Sequence, residues 1–313
     1  MCRMSSDATP ATTDALSGQP AHGQPAPGRA YATDRPGTSH GVESAVSSDG
    51  TTIAYRVLGD PSSRPLVLIH GWAQSSSSWG AELLGELAQR FRVVAIDLRG
   101  HGHSDVPAGG YDSPQQWADD VETVLDSVGI GEDAGAILLG WSYGGVVVAD
   151  YLAARGEARV AGVVLCGAVT SLSRSAGGAI GPAMKEVTSG GAFEEKPARA
   201  LEAFTTFGKA MMVNGAGADG QRILGLSLST PPAVRQALLT RRVDNDDTLR
   251  GLSIPALVIH GAHDGVVLPS AGQANAEMIA GGRYVEFAES AHAPFLEETP
   301  RFLAELGAFA ASL

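Results

Sequence analysis

A serine, an imidazole and a carboxylate together perform acyl transfer, and this chain carries all three in suggestive positions. The serine is Ser142, in GWSYG at residues 140–144. The pattern alone carries little weight. With 40 Gly in 313 residues, about 0.4 chance matches to G-x-S-x-G are expected, and a second match, GTSHG, spans residues 37–41. Context separates the two. GWSYG closes an apolar run, AILLGW (136–141), and opens a helical stretch, 143–155. A sharp strand-to-helix turn strains the serine backbone and lifts its hydroxyl clear of the sheet. The residues two before and two after the serine come together, which accounts for Gly140 and Gly144. Ser142 also falls at a helix N-terminus, where N–H groups and the helix dipole favour developing negative charge. Ser39 of GTSHG has no strand before it and no amphipathic helix after it.

A serine hydroxyl needs a base, and the base needs an orienting acid. Only eight histidines are available. His22 and His40 lie in a Pro/Gly-rich tail, His101 and His103 in a Gly-rich loop, and His70, His260 and His263 beside strand ends. His292, in AESAHAPF, follows the last expected strand and precedes the last helix. In a parallel sheet the C-terminal ends of the strands share one rim, so His292 and Ser142 fall on the same side. Asp264, a few residues past the strand 255–260, falls there too. The competing acid position, after the strand ending near Cys166, reads CGAVTS and holds no acid.

The elements that must position these groups alternate. Strands are expected at 51–58, 66–70, 92–98, 136–141, 159–166, 255–261 and 283–288. Helices are expected from the serine run 75–78 to about 90, and at 114–128, 143–155, 270–280 and 299–311. Strand–helix alternation means crossover units and a mostly parallel sheet with helices on both faces. It is interrupted at 170–250, which holds Gly-rich turns, at least two helical stretches, 197–212 and 231–242, and no strand pattern. The organisation is therefore a disordered tail, 1–42; a core, 43–169 and 251–313; and a helical cap, 170–250. The tail has too few large apolar residues to offset its ordering entropy.

Composition narrows the function classes. A net charge of −12 and a pI near 5.1 oppose phosphate backbones and anionic lipid surfaces, so neither nucleic acid nor membrane is an expected partner. Two cysteines, Cys2 and Cys166, imply no disulfide framework, which is compatible with the cytoplasm. The N-terminus lacks the apolar run of a secretory signal, and no apolar run has the length of a membrane span.

Five stretches occur in order: LVLIHGW (66–72), DLRGHGHSD (97–105), GWSYGG (140–145), IPALVIHGAHDGVV (254–267) and SAHAPFLEETP (290–300). With the order Ser142, Asp264, His292, the chain resembles the α/β-hydrolase superfamily, in the branch of small serine hydrolases and cofactor-free haloperoxidase-like enzymes. The resemblance implies a nucleophile, acid and base at those three positions, and an oxyanion hole from the backbone N–H groups of Trp72 and Tyr143. It implies no cofactor and no metal. It implies a carboxylic ester hydrolase, with C–C bond hydrolysis, lactone opening and perhydrolysis as alternatives on the same groups. A non-catalytic ligand-binding protein on this fold is the alternative of another class. Serine at 142 speaks against the dehalogenases and epoxide hydrolases of the fold, which use aspartate there. Met often follows the serine in the haloperoxidase-like version, and Tyr143 departs from it.

Two further patterns have ordinary explanations. His101-Gly-His103-Ser-Asp105 resembles part of a binuclear metal signature, but the next residue is Val106, not His. Phe204, Phe207, Met211 and Met212 form a stripe at helical spacing that packs a core or lines a substrate pocket. Trp141, Phe204, Phe207 and Met211 are the pocket candidates, for a small apolar or aromatic acyl group.

Overall fold

Short runs of Val, Ile and Leu bounded by turn residues form strands buried on both faces. The computed structural model describes residues 41–172, 179–215 and 217–313. The expected tail, with Cys2, Ser39 and His40, lies outside them except for residues 41 and 42.

The strands are β1 (Glu43–Val46), β2 (Thr52–Leu58), β3 (Pro65–Ile69), β4 (Arg92–Ile96), β5 (Ala136–Trp141), β6 (Val160–Cys166), β7 (Ala256–Gly261) and β8 (Arg283–Phe287). They form one eight-stranded sheet in the order β1-β2-β4-β3-β5-β6-β7-β8. β1 and β2 pair antiparallel, as do β2 and β4; every other pairing is parallel. Every residue of β3, β5 and β7 is buried. Removing a Val, Leu or Ile side chain from water contributes about 1.5–3 kcal/mol, and these three strands concentrate that gain at the sheet centre.

The sheet-flanking helices are α1 (Ala81–Ala88), α2 (Pro114–Ser127), α3 (Gly144–Arg155), α9 (Pro269–Met278) and α11 (Thr299–Ala311), with a short α10 (Pro294–Glu297) before α11. The α2 stripe of Trp117, Val121, Val124 and Leu125 is buried, and Ser113 caps its start by accepting from the Gln116 N–H. The serine run behaves differently from expectation. Ser75 caps only a 3-10 turn, Ser76–Trp79, and α1 begins after Gly80, whose positive φ of 75° redirects the chain. β1, with the sequence ESAV and largely exposed, carries no hydrophobic signal; it is set by pairing with β2 at the sheet edge.

Between β6 and β7 the described residues are helical: α4 (Pro182–Gly190), α5 (Pro197–Met211), α6 (Ala218–Ser229), α7 (Pro232–Thr240) and α8 (Asp246–Arg250). A buried cluster joins the end of this insertion to the core. The Arg241 guanidinium donates to Asp150 Oδ2 of α3 (2.7 Å) and to the Tyr143 hydroxyl (3.0 Å), and lies over the Trp117 ring. Asn245 Nδ2 donates to the other Asp150 oxygen (3.2 Å).

Candidate active site

The parallel register sets the strand ends level. Ile69 pairs with Gly140, Trp141 with Cys166, Cys166 with Ile259, and Gly261 with Phe287. The loops leaving β3, β5, β7 and β8 therefore meet along one rim, where ligands bind in sheets of this type.

At the end of β5 the chain reverses into α3 within two residues. Ser142 has φ = +56°, the left-handed region that a residue with a side chain rarely enters. Strain of this kind persists only where its surroundings enforce it. They do so through backbone approach. A Cβ on Gly140 would lie 2.6 Å from the Gly144 carbonyl oxygen, and a Cβ on Gly144 would overlap the Ile69 carbonyl. The Ser142 N–H continues the ladder by donating to Cys166 O (3.0 Å). Ser142 is 8% exposed, and its side chain sits beside Gly71 of the loop after β3.

That loop holds Gly71 and Trp72. His70 Nε2 accepts from the Leu98 N–H (3.1 Å), so the ring hydrogen lies on Nδ1, which donates to Gly71 O (2.8 Å). The Gly71 carbonyl and the Trp72 N–H belong to one planar peptide unit. Holding the carbonyl on one side therefore aims the Trp72 N–H to the other. No described residue accepts from the Trp72 or Tyr143 backbone N–H. Ala73, next in the turn, is the second positive-φ residue other than glycine among the described residues, also at +56°. Nothing in the sequence marks Ala73 or the role of the His70 ring in orienting this peptide.

Asp264 and His292 meet across the loops after β7 and β8. His292 Nδ1–H donates to Asp264 Oδ2 (2.8 Å), and Oδ1 accepts from the N–H groups of Val266 (2.9 Å) and Val267 (3.0 Å). Burial raises the Asp264 pKa, but the His292 charge and bonds from His260 and His292 outweigh it and bring it down to about 2. The two loops are sewn together by backbone. A Cβ on Gly261 would collide with the Ala291 carbonyl, and the His263 N–H donates to Ser290 O (3.0 Å). The His292 loop is also tied to the insertion. The His292 N–H donates to Met211 O (3.0 Å), and Glu297 accepts from both the Ala291 N–H (2.7 Å) and the Val213 N–H (2.6 Å).

Ser142, Tyr143, Trp72, Gly71 and His292 line one cavity, closed by apolar side chains that include Trp141, Val169, Met184, Phe207, Met211, Leu239 and Val266. The pocket expectations divide here. Trp141, Phe207 and Met211 are on the wall. Phe204 is not: it turns away to pack on Trp72 (5.7 Å between ring centroids) and under the Arg235 guanidinium (4.8 Å). Trp141 also donates its indole N–H to His292 O (2.8 Å), steadying the imidazole loop.

The DLRGHGHSD stretch is a turn. Asp97 accepts from the Ser76 N–H (2.6 Å) and the His103 N–H (2.9 Å), and Asp105 from the Thr52 N–H (2.8 Å). Among the described residues no group of three or more His, Cys, Asp or Glu is arranged to hold a metal ion. Nor is any helix among them long and apolar enough to cross a membrane.

Residues 66–306 match the model of the alpha/beta hydrolase family. The chain belongs to the alpha/beta hydrolase family. This hydrolase is 31% identical to a pimeloyl-[acyl-carrier protein] methyl ester esterase of Neisseria meningitidis serogroup C, over 77% of this chain and 91% of the relative. It is 32% identical to a non-heme haloperoxidase of Rhodococcus erythropolis, over 71% of this chain and 81% of the relative. Among solved structures it is similar to an esterase from Rhodococcus sp. ECU1013, with a TM-score of 0.84, 49% identity, and coverage of 87% of this chain and 99% of that one. Across the hydrolase relatives the resemblance to the small haloperoxidase-like branch therefore holds.

Proposed function

We propose that this chain is a serine esterase acting on small apolar or aromatic acyl esters. The observation that carries the reading is that His292, bonded to Asp264, lines the same cavity as a conformationally strained Ser142. His292 Nε2 takes the Ser142 proton as Oγ attacks the acyl carbonyl. The Trp72 and Tyr143 N–H groups receive the oxyanion, each such donor supplying about 3 kcal/mol in the transition state. His292 then returns the proton to the departing alcohol. Water, deprotonated by the same imidazole, releases the acid and restores Ser142. Asp264 keeps the hydrogen of His292 on Nδ1 and balances the charge of the imidazolium. Residues 170–250 act as the cap, and their apolar wall selects the acyl group. Cysteine usage is the ground for placing the enzyme in the cytoplasm.

Ser142→Ala is expected to abolish p-nitrophenyl acetate hydrolysis and fluorophosphonate labelling while the protein remains folded by circular dichroism. Undiminished turnover by that variant refutes the assignment. A second reading draws on the haloperoxidase relative: hydrogen peroxide in place of water would release a peracid from the same acyl-enzyme. Peracid formation from acetate esters, measured with and without peroxide, decides between the two.

A further inference from the structure

His260 lies in β7, four residues before Asp264, and is fully buried. The reaction above does not use it. Its Nε2 is 3.0 Å from the Val267 carbonyl oxygen and 3.1 Å from Asp264 Oδ2. A carbonyl only accepts, so the ring hydrogen is on Nε2, shared between these two oxygens. His260 Nδ1 is buried with no hydrogen-bond partner among the described residues, and packs at Gly272 of α9, where a Cβ would overlap it. The ring is thus wedged in one orientation. The same Asp264 oxygen carries His292 Nδ1–H at 2.8 Å. Two imidazoles therefore face one carboxylate oxygen, while the Val266 and Val267 N–H groups occupy the other. Val267 closes the arrangement, donating to Oδ1 through its N–H and accepting from His260 through its carbonyl.

We propose that His260 is a positioning residue for ester hydrolysis: its Nε2–H braces the Asp264–Val267 turn and draws charge from the oxygen that holds His292. The inference rests on the esterase reading of Ser142, Asp264 and His292. The titratable groups around Asp264 are His260 and His292 in contact, with Cys166 at the end of β6 and Tyr284 in β8 further out. Removing the His260 N–H leaves more of the carboxylate charge to His292. The imidazole then keeps its proton to higher pH, and a protonated base cannot accept from Ser142.

The test compares three variants on p-nitrophenyl acetate across pH. His260→Leu removes the donor. His260→Gln carries an amide N–H close to the Nε2 position, and His260→Asn carries one only as far as Nδ1. The Leu and Asn variants are expected to lose about tenfold in kcat with KM little changed, the lower end of the loss when the hydrogen-bond partner of a metal-ligating histidine is removed. The acid limb of their kcat/KM profiles moves to higher pH, and His260→Gln returns both rate and profile toward the parent. If the Leu variant does not fold, the Gln–Asn comparison carries the same test. Parental kcat and pH profile in the Asn variant, or no rescue by Gln, overturns the proposal. Loss of activity in Ser142→Ala together with parental behaviour of the His260 variants would remove this inference alone. Activity persisting in Ser142→Ala would remove the esterase reading itself.

Discussion

Replacing Asp264 by asparagine changes one oxygen into an NH2 group, and the surroundings decide which. The Val266 and Val267 N–H groups require an acceptor at Oδ1. The new NH2 is thereby turned toward His292 Nδ1 and His260 Nε2, two positions that supply hydrogens in the parent. His292 can relieve the conflict only by moving its hydrogen to Nε2, which blocks proton removal from Ser142. Asp264→Asn is expected to lower kcat by about 10⁴ with the fold retained, on the scale of this substitution in another serine triad. A steady-state assay beside a thermal melt checks it. At this scale the sequence was informative where a residue type has few uses. Ser142 between glycines, one rim histidine and one rim acid were legible. His260 was not, because a histidine at a strand end has no pattern that distinguishes a brace from packing. Phe204 was misplaced because helical spacing identifies a buried face, not which of its members meets the cavity.

The strand–turn–helix element made by β5 and α3 depends on two backbones touching without a side chain between them. Gly144→Ala places a Cβ against the Ile69 carbonyl, which neither β3 nor α3 can vacate. We expect a loss of about 2–3 kcal/mol in stability, the cost of overpacking, and a larger loss of activity, because Ser142 and the Tyr143 N–H move together. Urea denaturation and ester turnover on the same preparation separate the two effects. The element was legible because the apolar run, the two glycines and the following helix agree with one another. The turn after β3 was legible only as a Gly-containing loop. Ala73 at φ = +56° has no signature in its type; tertiary contacts impose that conformation. β1 was missed for a related reason, since edge pairing rather than apolar alternation defines it.

For the molecule as a whole, the alternation of strands and helices fixed the sheet, but the attachment of the insertion was hidden. Nothing in the run TRR singles out Arg241, which is buried against Asp150 and Tyr143. Two buried histidines give the fold a dependence on acidity. Burial lowers His70 from 6.5 to about 4. Burial, with the neighbouring His70, lowers His101 from 6.5 to about 3. Both are lowered, so their contribution to stability is complete above about pH 6.5. It falls as the unfolded chain takes up protons that the folded one refuses, until the folded values are reached. The slope is about 1.4 kcal/mol per pH unit for each ring. Asp264, depressed from 3.8 to about 2, adds a further loss only below about pH 4. Urea midpoints are expected to drop steeply between pH 6.5 and 4, and His101→Asn to flatten that slope; an equal slope in the variant excludes the His101 contribution.

The backbone bond from His292 to Met211, with Glu297 spanning the same gap, has a mechanical consequence. These bonds tie the C-terminal end of α5 to the loop of His292, the proposed base. Lifting that end of the helix to admit an ester would pull the imidazole from its acid, so loading and chemistry would compete. The start of α4 is bonded in the same way to the Asp264 loop, through the Gly181 N–H to Val266 O (2.8 Å) and the Ala183 N–H to Gly265 O (3.1 Å). Leu239 of α7, by contrast, borders the chamber with no backbone bond to either loop among the described residues, so displacing it would leave the proposed proton relay intact.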